Sequence, residues 1–224
     1  MASNELQHLG LKTVDDPKKI IELLSRASTI AVSVSEAFKT SGYPEAAQKA
    51  IDTLAINLGL AIKHLKVAVP PSDPISFTGW RAINAKKGSE IKNNLARVPG
   101  LVKEALTGAE SLTEVQRVDF EDVTGALQVM PGIRVKYRGA GISYQLSPDA
   151  PEATRKAMYT FDLQYEMDRL RSALKGGDYH RGSDGVYRET RGNIDLLNST
   201  KTVSEKLTFN YQAALALSAS GRGR

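Results

Sequence analysis

Two apolar stripes at helical spacing, one directly after the other, constrain the fold of this 224-residue chain more than any other feature. Asp15 and Asp16 offer an N-cap and Pro17 fits a first helical position. Ile20, Leu23, Leu24, Ala27, Ala31, Val34 and Phe38 then recur at helical intervals, although the β-branched run over 28–34 lowers propensity in the second half. Gly42 supplies a stop, Pro44 opens a second helix, and Ala47, Ile51, Leu54, Ala55, Leu58, Ile62 and Leu65 line its face. Two such helices joined by Ser-Gly-Tyr predict an antiparallel helical hairpin.

Pro70, Pro71 and Pro74 read as an extended linker ending that unit, with Ile75, Phe77 and Trp80 packing back on something. A helix is expected from about Ser89 to Arg97. Pro99-Gly100 is expected to break it, a short helix to follow through Leu106, and the Ser111–Glu114 capping box to start another over 112–124. The period then changes. Leu127, Val129, Ile133, Val135 and Tyr137 alternate with Arg134, Lys136 and Arg138, which predicts strands near 126–130 and 133–138, and a third over 142–146. Such a meander must lie on helices, because it cannot bury both faces alone.

A long helix is expected over 151–174, ended by Gly176-Gly177, then an exposed loop over 176–193 and a last helix over 203–217 started by Thr202 and Glu205. The expected fold is mainly α with a small antiparallel β hairpin or meander, an α+β arrangement on a helical-bundle core. The expected organisation is a flexible tail over 1–13, the helical hairpin over 14–69, a helical domain over 75–217 with the meander near 126–146, and a flexible basic tail over 218–224.

The chain contains no cysteine, which excludes disulfides, thiolate metal sites and a cysteine nucleophile. Its three histidines, His8, His64 and His180, have no second histidine at i+3 or i+4, so no metal ligand set is expected. Asp119, Glu121 and Asp122 cluster without a converging partner, and Arg138-Gly139-Ala140-Gly141 and Lys175-Gly176-Gly177 stand in the wrong context for nucleotide loops. The sequence therefore predicts no enzyme and no cofactor; an enzyme would need Asp119 or Asp162 beside His180. No stretch approaches the ~18 consecutive apolar residues of a spanning helix. Residues 1–12 lack the basic and apolar regions of a secretory signal, so the expected setting is a reducing, cytosol-like compartment away from membranes.

Charge is unevenly distributed. Of the 15 basic residues before position 127 only 4 are arginine, against 10 of the 15 from there on, and 111–126 is acidic. Arginine presents a planar fork suited to phosphates, so the C-terminal half is the candidate for anion contact. Arg169, Arg171, Lys175, Arg181, Arg188 and Arg191 stand near Tyr179 and Tyr187, with Asp178, Asp184 and Glu189 opposing them. Arginines neutralise phosphates and tyrosines stack on unpaired bases, which points to single-stranded RNA. Arg134, Lys136 and Arg138 add a second row, with no acidic residue between Val123 and Pro148. On the opposite reading, the acids simply pair with the arginines.

Glu152-Ala153-Thr154-Arg155-Lys156, a helix, and Gly176-Gly177-Asp178-Tyr179-His180-Arg181 resemble the last long helix of rod-shaped plant-virus coat proteins, over residues 152–186. The pattern departs at Ala157-Met158, where that family has an acidic pair. The resemblance implies that Arg155 and Lys156 lie near RNA, that Arg181 lies by the following loop, and that the chain is a coat or nucleocapsid subunit of the virion or host cytoplasm. Self-association is expected with it. The alternative is a helical adaptor or oligomeric scaffold without nucleic acid, using the Ile51–Leu65 stripe and the Ala213–Leu217 run as interfaces.

Overall fold

The computed structural model of the protein describes residues 10–40, 45–127, 130–138, 141–181, 187–190 and 192–220; within these, the side chains of 40, 113–127, 135–138, 141–144, 159–162, 164, 181, 187, 189 and 218 are outside the description. Six helices and two antiparallel hairpins form among the described residues. In chain order they are α1 (Pro17–Thr40), α2 (Glu45–Ala68), α3 (Pro74–Ala85), α4 (Gly88–Leu127), β1 (Ile133–Arg138), β2 (Gly141–Leu146), α5 (Glu152–Leu174), β3 (Asp178–Arg181), β4 (Tyr187–Thr190) and α6 (Leu196–Ser220). The protein is mainly helical, with helical-bundle packing and small β hairpins. Among the described residues no helix is long and apolar enough to cross a membrane.

The chain divides into two units. Unit 1 is Met1–Ser25, Ile56–Ala105 and Ile194–Arg224; unit 2 is Arg26–Ala55 and Leu106–Asn193. Three of the four boundaries fall inside α1, α2 and α4 and the fourth between β4 and α6, all away from the Pro70–Pro74 segment.

In unit 1 the expected linker is shorter than its prolines imply. Asp73 caps a helix by accepting the Ser76 N–H at 2.8 Å, and Pro74 takes the first helical position. On α3, Trp80 donates to the Val67 carbonyl at 2.9 Å, stacks on Phe77 and meets Tyr211 edge-on. Tyr211 donates to the Asn84 carbonyl at 2.5 Å. The Pro99-Gly100 break does not occur, and α4 runs through it. Leu95, Val98, Val102 and Ala105 are fully buried around that point, so packing holds the helix where one ladder bond is lost.

The last helix also starts earlier than Thr202. Asp195 is its cap, accepting the Asn198 N–H at 3.0 Å, whereas the Thr202 hydroxyl donates to the Asn198 carbonyl, which is a helix-interior arrangement. The described end of the expected tail over 1–13 is tied down at Lys12, which forms a parallel bridge with Ile194 and accepts the Asp195 N–H at 3.0 Å. Val14 then donates to Ser199 Oγ, and Lys206 pairs with Asp15 at 3.1 Å.

In unit 2, Phe38, Ile51, Leu54, Leu163 and Leu170 are buried to within 1%. Asp52 accepts from the Ser35 hydroxyl and pairs with Lys39. The expected strand near 126–130 is overturned, because α4 extends to Leu127, with 128–129 outside the described residues. The hairpin is β1 with β2, the strands expected over 133–138 and 142–146, and among the described residues no further strand joins them. The loop expected over 176–193 is instead partly a hairpin, β3 with β4. Those strands are four residues each and largely charged, so no apolar alternation betrays them in the sequence.

A Schellman turn ends α5: Gly177 N–H bonds the Ser172 carbonyl at 2.8 Å, Gly176 N–H bonds the Ala173 carbonyl at 3.0 Å, and Gly176 has φ 74°. Gly192 passes so close to this turn that a Cβ there would fall on the Lys175 carbonyl and the Gly177 amide. Gly192→Ala is expected to lower unfolding stability by about 3 kcal/mol or more, the upper range for overpacking. Gly100→Ala, in open space inside α4, should raise it by about 0.5–1 kcal/mol. Urea midpoints at constant m-value check both.

His64, on α2 in unit 1, has its pKa lowered by burial first, then by Arg97 and Lys63, with Glu90 opposing. The unfolded chain thus takes up a proton more readily as pH falls through the ordinary imidazole range near about 6.5. Stability is expected to fall with acidification through that window, and His64→Gln should flatten the melting temperature against pH there.

Candidate nucleic-acid interface

The basic residues of unit 2 gather at the two ends of α5. At its N-terminal end lies the β1–β2 ribbon. Register pairs Ile133 with Leu146, Arg134 with Gln145, Lys136 with Ser143 and Arg138 with Gly141. Because successive residues alternate faces, Ile133 and Leu146 share one side and the positions of Arg134, Lys136 and Arg138 share the other. Ile133, Leu146 and Met130 pack against Ala157 and Met158 of α5. The apolar side is therefore the packed one, and Arg134 is exposed. No acidic residue occupies a register position on the ribbon. The side chains of Lys136 and Arg138 are outside the described residues.

Two local bonds hold the ribbon to its helix. Thr154, 1% exposed, donates to the Pro131 carbonyl at 2.8 Å. Gly132 has φ 81°, and its carbonyl accepts the Ser147 N–H. Arg155 turns back on the same connection, donating from Nε to the Ala150 carbonyl at 3.0 Å and from Nη2 to the Pro148 carbonyl at 2.8 Å. Asp149 is held below the usual carboxylate range, chiefly by the Ser147 hydroxyl, with Arg155 adding to it. Arg155 thus braces the β2–α5 connection, and Lys156 beside it is exposed.

At the C-terminal end, Arg169 holds both Glu166 oxygens from Nη1, at 3.0 and 2.9 Å, and sits 5.8 Å from the Tyr165 ring centre. Arg171 pairs with Asp168 at 3.3 Å. The acids that meet these arginines are thus on α5 itself, one turn earlier. The loop acid Asp178 lies 3.7 Å from His180. Tyr179 is half-buried, its ring tilted against Tyr165 at 5.6 Å, which makes it a packing residue as well as a candidate stacking one.

Lys175 is exposed just beyond α5. Arg188 is exposed opposite His180 on β3–β4. The side chains of Arg181 and Tyr187 are outside the description, and Arg191 lies outside the described residues altogether. So do the side chains of Asp119, Glu121, Asp122 and Asp162. Among the described residues no group of three or more His, Asp or Glu side chains could hold a metal ion.

Sequence reasoning missed two residues here. Arg26 donates from Nη2 to the Gly177 carbonyl at 2.6 Å, a contact across 151 positions that no local pattern encodes. Ser172 lies buried against the same turn, where helical spacing alone marked it as an ordinary helix position. No protein-family model, curated protein or solved structure matches the chain.

Thr154→Val is expected to cost about 1–2 kcal/mol, the loss of one buried hydrogen bond with its acceptor left unmet. Amide exchange should accelerate in β1 and β2 before it does in α5.

Proposed function

We propose that the protein is a structural single-stranded RNA-binding protein, a coat or nucleocapsid subunit that holds RNA by sequence-independent contacts to phosphates. The observation that carries this reading is the two-sided β1–β2 ribbon. Its apolar side packs on α5, and its other side presents the positions of Arg134, Lys136 and Arg138 with no acid among them. Alternate residues of a strand are about 6.7 Å apart. That is the same order as the spacing of successive phosphates in an extended single strand, so one phosphate can meet each cation.

Arg169, Arg171, Lys175 and Arg188, at the other end of α5, extend the basic surface. Their pairings with Glu166 and Asp168 are half-buried surface contacts worth about 1 kcal/mol or less, which a polyanion can displace. Packaging an RNA needs many copies. In unit 1 the exposed apolar side chains Ile75, Ile83, Phe209 and Leu217 are the surface that self-association would cover. The same four side chains favour the second reading, an oligomeric scaffold without nucleic acid.

Fluorescence anisotropy with a labelled unstructured RNA separates the two. Binding should weaken steeply as salt rises, with little dependence on base composition. Replacing Arg134, Lys136 and Arg138 together by glutamine should lower the log–log salt slope by about 2, at roughly 0.7 per phosphate, with an unchanged circular dichroism spectrum. Absent or salt-insensitive binding, together with a defined RNA-free oligomer by light scattering, would establish the scaffold reading instead.

A further inference from the structure

We propose that the cleft at the C-terminal end of α5 is a phosphate-binding site. The cleft has a volume of about 200 Å³ and is lined by Asp168, Arg171, Ser172, Lys175 and Tyr179. This proposal goes beyond the RNA reading and does not rest on it.

Two donors at the cleft lack an acceptor among the described residues. They are Arg171 Nε and Ser172 Oγ, both buried, with Ser172 only 5% exposed. Buried Ser204 Oγ on α6 also lacks an acceptor, but several helical hydroxyls return to the carbonyl four residues back, as Thr200, Thr202 and Thr208 do. Ser172 does not. A buried hydroxyl and a buried guanidinium N–H without an acceptor are costly to keep, and adjacent ones lining a cleft are a ready pair for an oxyanion.

The local charge selects an anion. A helix C-terminus ordinarily repels one, because its carbonyls carry partial negative charge. Here two of the last four carbonyls of α5 are engaged, and so is the Gly177 carbonyl just beyond them. The Ser172 carbonyl accepts from Lys175 and Gly177, the Ala173 carbonyl accepts from Gly176, and Arg26 donates to the Gly177 carbonyl. The remaining charges are Arg171 and Lys175 against Asp168, and Asp168 meets Arg171 through Nη1, leaving Nε for a ligand. Three kinds of donor, a guanidinium N–H, a hydroxyl and an ammonium, belong to residues that line this one cleft. That matches the several oxygens of a tetrahedral phosphate better than a planar carboxylate. Tyr179 forms the remaining wall, against which the ring of a nucleotide can lie. A free phosphate and the phosphate of a nucleotide present the same chemistry to the cleft.

Isothermal titration of the full chain with inorganic phosphate and, separately, with adenosine 5′-monophosphate tests this. Saturable binding and a phosphate-dependent rise in melting temperature are expected. Equal affinities would assign free phosphate as the natural ligand, and tighter nucleotide binding would assign a nucleotide with its base on Tyr179. Ser172→Ala, Arg171→Lys and Lys175→Gln should each weaken binding about 10- to 100-fold, the usual effect of losing a hydrogen bond to a charged group. Without phosphate, Ser172→Ala should melt no lower than the unsubstituted protein, which separates a binding role from a folding one. The variant carrying glutamine at 134, 136 and 138 should bind phosphate normally, so the RNA reading and this one fail independently. Absence of saturable binding in the millimolar range would overturn the proposal. So would unchanged affinity in both Ser172→Ala and Lys175→Gln.

Discussion

The passage of Gly192 across the turn that ends α5 is the constraint on which the chemistry of unit 2 depends. Two backbone segments meet there with no room for a side chain between them. Buried backbone groups must find partners, and here Ser172, Ala173 and Gly177 find theirs in the Schellman bonds and in the Arg26 guanidinium. The closed turn fixes where β3 begins, one residue past Gly177, and so fixes Tyr179 against Tyr165. Beside the turn the Ser172 hydroxyl lies buried without a hydrogen-bond partner among the described residues. One close approach of backbone thus sets the helix end and the strand start beside the cleft.

The two ends of α5 handle positive charge differently. At the C-terminal end each arginine meets an acid three positions earlier. Such i,i+3 pairs contribute only about 0.2–0.5 kcal/mol on a helix surface. They keep the guanidinium groups oriented without holding them firmly. At the N-terminal end Arg155 is committed to two backbone carbonyls, and the basic positions 134, 136 and 138 lie on β1 instead. The resemblance to rod-shaped viral coat proteins pointed to Arg155 as an RNA contact. Its geometry gives it a bracing role first, holding the connection from which the ribbon departs.

Much of this fold was legible in the sequence, and the exceptions share a cause. α1, α2 and α5 have local punctuation at both ends, Pro17, Pro44 and Gly176-Gly177 among it, and their bounds follow from it. Pro99 misleads because its cost in a helix interior, about 3 kcal/mol, is local, whereas its compensation is tertiary. Burying Leu95, Val98 and Val102 at about 1.5–3 kcal/mol each outweighs it. Thr202 misleads for the same kind of reason, since a threonine hydroxyl can cap a helix or bond back inside one. The basic row of β1 was readable because period two needs only neighbours. The cleft was not, because it forms beside a turn that Arg26 braces and that Gly192 crosses, both from other parts of the chain.

The ribbon illustrates how stability and binding become one quantity. An isolated two-stranded hairpin is marginal in water, so β1–β2 keeps its register because Ile133 and Leu146 are held on Ala157 and Met158. The positions of Arg134, Lys136 and Arg138 stay on the side opposite the packed one only while that apolar contact lasts, since a slip by one residue would exchange the two faces. Self-repulsion along the row works against the folded ribbon, and anything that neutralises it favours the ordered register. A polyanion that binds only the ordered ribbon therefore stabilises unit 2 by mass action. The same basic face that weakens the ribbon alone becomes a source of its stability once phosphates lie along it.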